Sequence, residues 1–85
     1  RPGFAALCER IRDGGLLIYE TFMEGNERFG RPSNPAFLLA PGELLERTRG
    51  GFTPLAFEQG AVGEPAAAMV QRLCALKGGA VDRLP

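Results

Sequence analysis

Histidine is missing from this sequence altogether. Its absence removes His-based nucleophilic triads, the commonest general base at neutral pH, and the usual nitrogen ligand of zinc. Net charge is missing too: ten Lys and Arg balance ten Asp and Glu. No electrostatic argument therefore favours nucleic acid or an anionic membrane surface as a partner. No apolar run approaches the roughly 20 residues that span a bilayer, and the first residues do not form a secretory leader, so no membrane association is expected. Cysteine is scarce. Cys8 and Cys74 lie far apart without metal-type spacing, and are expected as reduced, buried thiols of a cytoplasmic protein, with no metal site.

What is present is an ordinary globular composition, 45% hydrophobic and 24% charged, which is wrong for a disordered chain. At 85 residues there is room for one small domain whose core is marginal, since a chain of this size buries only roughly 60–65% of its extended surface. The sequence opens on Arg1 rather than Met, and reads as a piece cut from something longer.

Phe4, Leu7, Cys8 and Ile11 fall at i, i+3, i+4 and i+7 and predict an amphipathic helix over 4–12, closed by Asp13-Gly14-Gly15. The strand predicted over 15–22 follows at once. Leu16–Tyr19 are apolar or aromatic without a break and Phe22 comes after a polar pair, the pattern of an interior strand covered on both faces. Residues 23–39 form a long connection, of a length that is usually functional or disordered. Phe29, Phe37, Leu38 and Leu39 argue against disorder by supplying apolar anchors. A short helix is predicted over 41–49, with Pro41 in its first turn, Glu43 at its positive end and Gly50-Gly51 as its stop.

A strand over 52–59 follows, with Thr53, Leu55 and Phe57 on one face. Pro54 cannot donate to a ladder, so this strand belongs at an edge. Gly60–Pro65 then makes a turn. The segment 66–77 is ambiguous: its alanines and the spacing of Met69, Val70, Leu73 and Cys74 favour a helix, while the weak alternation would just serve a half-buried strand. Residues 78–85 read as a flexible tail.

The stretches IRDGGLLIYETF, GNERFGRPSNPAFLLAPGELLE and AMVQRLCAL resemble the carboxyl-terminal half of bacterial class I S-adenosylmethionine-dependent methyltransferases, and within them the tellurite-resistance-like group. The most distinctive part is the YETF strand end together with the segment from Asn34 to Leu45. The resemblance covers roughly residues 3–77 and implies an α/β, partial Rossmann-like methyltransferase fold. Its elements would be a helix, a strand, a helix and an antiparallel closing strand pair. Residues 1–77 would form the carboxyl-terminal half of the domain. The last strand, over 66–76, would insert between the other two and leave the Pro54 strand at the edge. That implication sets strand against the local helix propensity.

The resemblance also implies S-adenosylmethionine as cofactor, yet the family's glycine-rich loop and acidic cofactor contacts have no counterpart in this chain. Gly14-Gly15 precedes a strand instead of leading from a strand into a helix, so it is no substitute. No cofactor-binding residue is assigned, and the chain alone is expected to be inactive. Ligands of open α/β sheets bind beyond the carboxyl ends of parallel strands. That rule makes Glu20, Thr21, Asn26 and Asn34 the candidate substrate-binding residues, with Asn26 to Asn34 as a lid. The plainer alternative is a strand end and a self-packed loop. Tyr19 reads as a core residue; Glu24, Glu27, Arg28 and Arg31 could steer a polar substrate, but read better as a solvated charge network. The absence of His is tolerable for methyl transfer, which needs alignment more than acid–base chemistry, and counts against a hydrolase. A non-enzymatic oligomerisation or interaction module is the alternative. On either reading the strand Gly15–Phe22 is expected to pair with another copy or with a missing amino-terminal half.

Overall fold

The computed structural model describes residues 3–78. Its elements are α1 (Phe4–Arg10), β1 (Leu16–Phe22), α2 (Glu43–Thr48), β2 (Phe52–Val62) and β3 (Ala68–Lys77), with short 3-10 turns at Asn26–Arg28 and Pro35–Phe37. Together they form a small mixed α/β domain with one three-stranded antiparallel sheet, in the order β1-β3-β2. The tail predicted beyond Gly78 lies outside the described residues.

The ambiguous last segment is a strand. It pairs along its whole length with β1 on one side, from Leu16 opposite Leu76 to Phe22 opposite Val70, and with β2 on the other, from Phe52 opposite Lys77 to Val62 opposite Ala68. Two ladders of hydrogen bonds outweigh the few tenths of a kcal/mol per residue by which Ala, Met and Leu prefer helix. β2 lies at an edge, where Pro54 costs the ladder nothing.

Several boundaries move for local reasons. α1 ends at Arg10 rather than residue 12, because Ile11 is already extended at φ −77°, ψ 126°. α2 begins at Glu43 and ends at Thr48 instead of spanning 41–49. Gly42 sits at φ +73°, a left-handed conformation that no right-handed helix continues through, so Pro41 stays outside the first turn. β2 runs on to Val62, past the turn expected at Gly60, since Gly60, Ala61 and Val62 still pair with Val70, Met69 and Ala68.

The ladder slips by one residue between Pro54 and Ala56. Thr53 therefore lies opposite Leu76 and Phe57 opposite Leu73, on opposite faces of the sheet. Simple alternation had put them on the same face, and the bulge is what separates them.

Both helices pack on one face. Phe4, Leu17, Met23, Leu39, Leu44, Leu73 and Ala75 form one buried cluster, with Cys8, Ile11, Tyr19, Phe52 and Phe57 packed around it. Tyr19 meets Phe4 edge to face at 4.9 Å, as its core assignment required. Cys8 and Cys74 are free thiols, half-buried rather than fully buried. Burial pushes the Cys8 thiol above its ordinary value, against the opposing pull of Lys77.

Cover on both faces of β1 is not found. Leu17 is buried, but Leu16 is 44%, Ile18 78% and Phe22 37% exposed. The alternating pattern arises because α1 and α2 cover the Leu17 side alone, and no described element covers the other.

Of the four anchors expected in the long connection, the two leucines are found and the two phenylalanines are not. Met23, Leu38 and Leu39 are buried, whereas Phe29 and Phe37 are exposed. Leu39 forms a parallel bridge to Met23, so its backbone holds the loop and carries its side chain into the core.

Candidate functional site

The carboxyl end of β1, the loop around Arg31 and the β2–β3 turn enclose a recess of about 370 Å³. Glu20, Thr21 and Phe22 form one wall. Val62, Glu64, Pro65 and the alanines at 66–68 form another, with Arg31 at the rim. A second recess of about 490 Å³ adjoins it, sharing Phe22 and Arg31 and adding Pro32, Ser33, Asn34 and Phe37. The β2–β3 hairpin brings its turn to the same end of the sheet as the end of β1, because β3 runs antiparallel to β1.

Glu20 and Thr21 therefore meet at the first recess, and Asn34 lines the second. The Asn34 side chain also accepts a hydrogen bond from the Ala36 N–H at 3.0 Å, capping the 3-10 turn that follows. Asn26 is placed elsewhere. It is 1% exposed, its Nδ2 donates to the Pro32 carbonyl at 2.9 Å, and its Oδ1 accepts from the Met69 N–H at 2.9 Å. A side chain committed at both ends to buried backbone ties the loop to β3, and it lines neither recess.

Glu20 is also one arm of a charge triad across the sheet. Arg72 Nε donates to Glu20 at 2.7 Å and Arg72 Nη1 to Glu58 at 3.2 Å. These residues sit directly opposite one another on neighbouring strands. The hydrogen bond to Glu20, followed by that to Glu58, raises the Arg72 guanidinium above its ordinary range.

The solvated network expected among Glu24, Glu27, Arg28 and Arg31 does not form ion pairs among the described residues. Glu27 Oε1 accepts from the Gly25 N–H at 3.0 Å and Arg28 Nε donates to the Gly25 carbonyl at 3.2 Å. Both charges thereby clasp one glycine. Gly25 holds φ +103°, and a Cβ there would meet Arg28 at 3.2 Å and Met69 at 3.3 Å. Arg31, grouped by the sequence with the solvated charges, lines both recesses instead. Only the folding of the hairpin turn toward the loop gives it a place between two recesses, and nothing in its immediate sequence signals that.

Chemically, the site is an apolar cleft with a cationic rim at Arg31 and carboxylates at Glu20 and Glu64. It can position a small molecule with a polar edge, and contains no nucleophile–base pair. The glycine pair before β1 does not form an anion cradle. The Gly14 N–H donates to the Lys77 carbonyl and the Gly15 N–H to the Arg12 carbonyl, both at 2.9 Å, so neither is free to cradle an anion. The end of β1 leads into a 3-10 turn instead of a helix.

No protein-family model, curated protein or solved structure matches this chain. Among the described residues no helix is long and apolar enough to cross a membrane.

Proposed function

We propose that this chain is the substrate-side half of an S-adenosylmethionine-dependent methyltransferase, of cytoplasmic location and inactive by itself. The observation that carries the reading is the strand order. The last strand inserts antiparallel between β1 and β2, as the resemblance implies for the closing pair of that fold. The recess at the end of β1 supplies the acceptor side, with Glu20 and Thr21 on its wall and Arg31 at its rim. Alignment of an acceptor there requires no general base. The cofactor would be held by the complementary half, because the N–H groups of Gly14 and Gly15 are already bonded to backbone carbonyls.

Calorimetric titration tests this reading. The chain alone is expected to show no S-adenosylmethionine binding at millimolar cofactor, and the product of the whole reading frame that encodes it to bind in the micromolar range. Failure of that product to bind, or a reading frame without a glycine-rich strand-to-helix loop, overturns the proposal. The second reading, an oligomerisation module without enzymatic activity, is favoured by one observation: the outer edge of β1 carries no partner strand among the described residues.

A further inference from the structure

Among the described residues, nothing pairs with the outer edge of β1 over a short and well-defined stretch. The Met23 N–H donates to the Met69 carbonyl and the Lys77 N–H to the Gly15 carbonyl, so the odd-numbered residues of this strand bond inward to β3. Antiparallel ladders alternate, and the N–H and C=O groups of Leu16, Ile18 and Glu20 therefore point outward. At the carboxyl end the outward side is taken: the Leu39 N–H donates to the Phe22 carbonyl at 3.1 Å and the Glu24 N–H to the Leu39 carbonyl at 2.9 Å. At the other end the Gly14 N–H bonds the Lys77 carbonyl and the chain turns away toward α1. Ile18 is the midpoint of what remains.

The two edges of the sheet are treated differently. β2 carries Pro54 and a bulge beside it, both of which discourage strand addition. β1 has no proline, lysine or bulge between Leu16 and Glu20. Its most exposed residue, Ile18 at 78%, is apolar.

From this edge we infer that the 85-residue chain pairs with a second copy of itself, β1 against β1 antiparallel, with the two-fold axis at Ile18. That register sets Ile18 opposite the partner's Ile18 and Leu16 opposite the partner's Glu20. Every outward N–H and C=O of Leu16, Ile18 and Glu20 then finds a partner in both copies. Moving the axis to Tyr19 drives the partner's Leu16 into the place held by Leu39. Moving it to Glu20 sets like charges face to face, which is destabilising. The Ile18 axis avoids both, and keeps the Glu20–Arg72 ion pair of each copy. The result is one continuous antiparallel sheet with β2 at both outer edges. The pairing stands on the edge geometry and is independent of any methyltransferase assignment.

A seam of this length falls near or below the roughly 1,200 Å² of the smallest stable interfaces, so dissociation is expected on the order of 100 μM. Sedimentation velocity from ten to several hundred micromolar, with amide exchange followed by NMR at the same concentrations, tests it. A monomer–dimer equilibrium is expected, with the Leu16, Ile18 and Glu20 amides protected in proportion to the dimer. Ile18→Lys puts a second solvent-facing charge against its own copy, and is expected to weaken the dimer about tenfold or more. Ala61→Lys on β2 is expected to leave it unchanged. A monomer throughout overturns the inference, and so does a dimer indifferent to Ile18→Lys. Protection of the Ile18 amide that does not depend on concentration overturns it too, because the edge is then covered from within the chain.

Discussion

Replacing Gln71 by Leu should remove the device that starts α2. This helix has no side-chain cap of its own; the sheet supplies one. Gln71 is 0% exposed, its Oε1 accepts from the Leu44 N–H at 3.1 Å, and its Nε2 donates to the Ala40 carbonyl at 2.5 Å. Its cross-strand neighbour Gln59 accepts from the Gly42 N–H at 2.8 Å. Leu has nearly the volume of Gln, so the change leaves no cavity and isolates the hydrogen bonds. The Leu44 N–H is then left buried and unsatisfied, which costs about 1–3 kcal/mol, whereas the exposed Ala40 carbonyl still accepts from the Glu43 N–H, so about 2 kcal/mol is a reasonable total. A domain of this size has a stability of roughly 4–12 kcal/mol. With an m value of about 1 kcal/mol/M in urea, the midpoint is expected to fall by about 2 M at unchanged slope. Gln59→Leu, which removes one exposed bond, should cost less than about 1 kcal/mol. A midpoint shift below about 0.5 M for Gln71→Leu would refute the capping argument.

Asn26→Asp keeps the acceptor for the Met69 N–H, but loses the donor to Pro32 and buries a carboxylate. It is expected to destabilise by about 2–4 kcal/mol at neutral pH, with part of the loss recovered in acid, read from urea midpoints at pH 7 and pH 4. Glu43 has its carboxyl held below the ordinary range, first by the Ala40 N–H, which it accepts at 2.8 Å, and then by Arg47. A depressed carboxylate stabilises above its unfolded pKa and loses that contribution as pH falls through its folded one. The advantage of wild type over Glu43→Gln should therefore be full at pH 6 and vanish below the ordinary carboxylate range, in a series of denaturation midpoints. Arg72→Met breaks both ion pairs of the charge triad, yet these groups are roughly half exposed. It is expected to leave the denaturation midpoint almost unchanged in the same measurement.

What could be read from the residues was punctuation. Gly14-Gly15 and Gly50-Gly51 divide helices from strands, and Pro54 marks an edge, because each acts within its own few residues. The choice between helix and strand for Ala68–Lys77 could not be made locally, since it depends on ladders to partners as far away as Leu16. The slip beside Pro54 left no mark in the alternation of Thr53, Leu55 and Phe57, and so their shared face was misread. In the loop, Leu38 and Leu39 anchor as their apolar character promised, whereas the phenylalanines stay exposed and the polar Asn26 is buried in their stead. The positions of Leu39 and Asn26 are set by bonds to the Phe22 and Met69 backbone. Of the candidate site, Glu20 and Thr21 were legible as a strand end. Arg31 was not, because its setting is made by a hairpin turn more than thirty residues away.

The composition of β1 asks for more cover than the described chain provides. An antiparallel edge strand with one wet face ordinarily alternates apolar and polar residues. On the uncovered face of β1 only Glu20 is polar; Leu16, Ile18 and Phe22 point to that face and are apolar nonetheless. That face continues across β3 through the half-buried Leu76 and Cys74, which lie opposite Leu16 and Ile18. At about 25 cal/mol per Å² of apolar area, side chains of this kind each forgo on the order of 1–2 kcal/mol when left in water. An apolar run with a free edge beside it is most simply understood as one seam with two demands, a strand for the edge and a cover for the face. A complementary half-domain would meet both. A second copy paired at Ile18 meets the first and shields part of the second, so the self-paired sheet should still bind a hydrophobic dye on its open face. A dimer that binds no such dye would show that the face is covered as well, and that the association is more extensive than one strand against another.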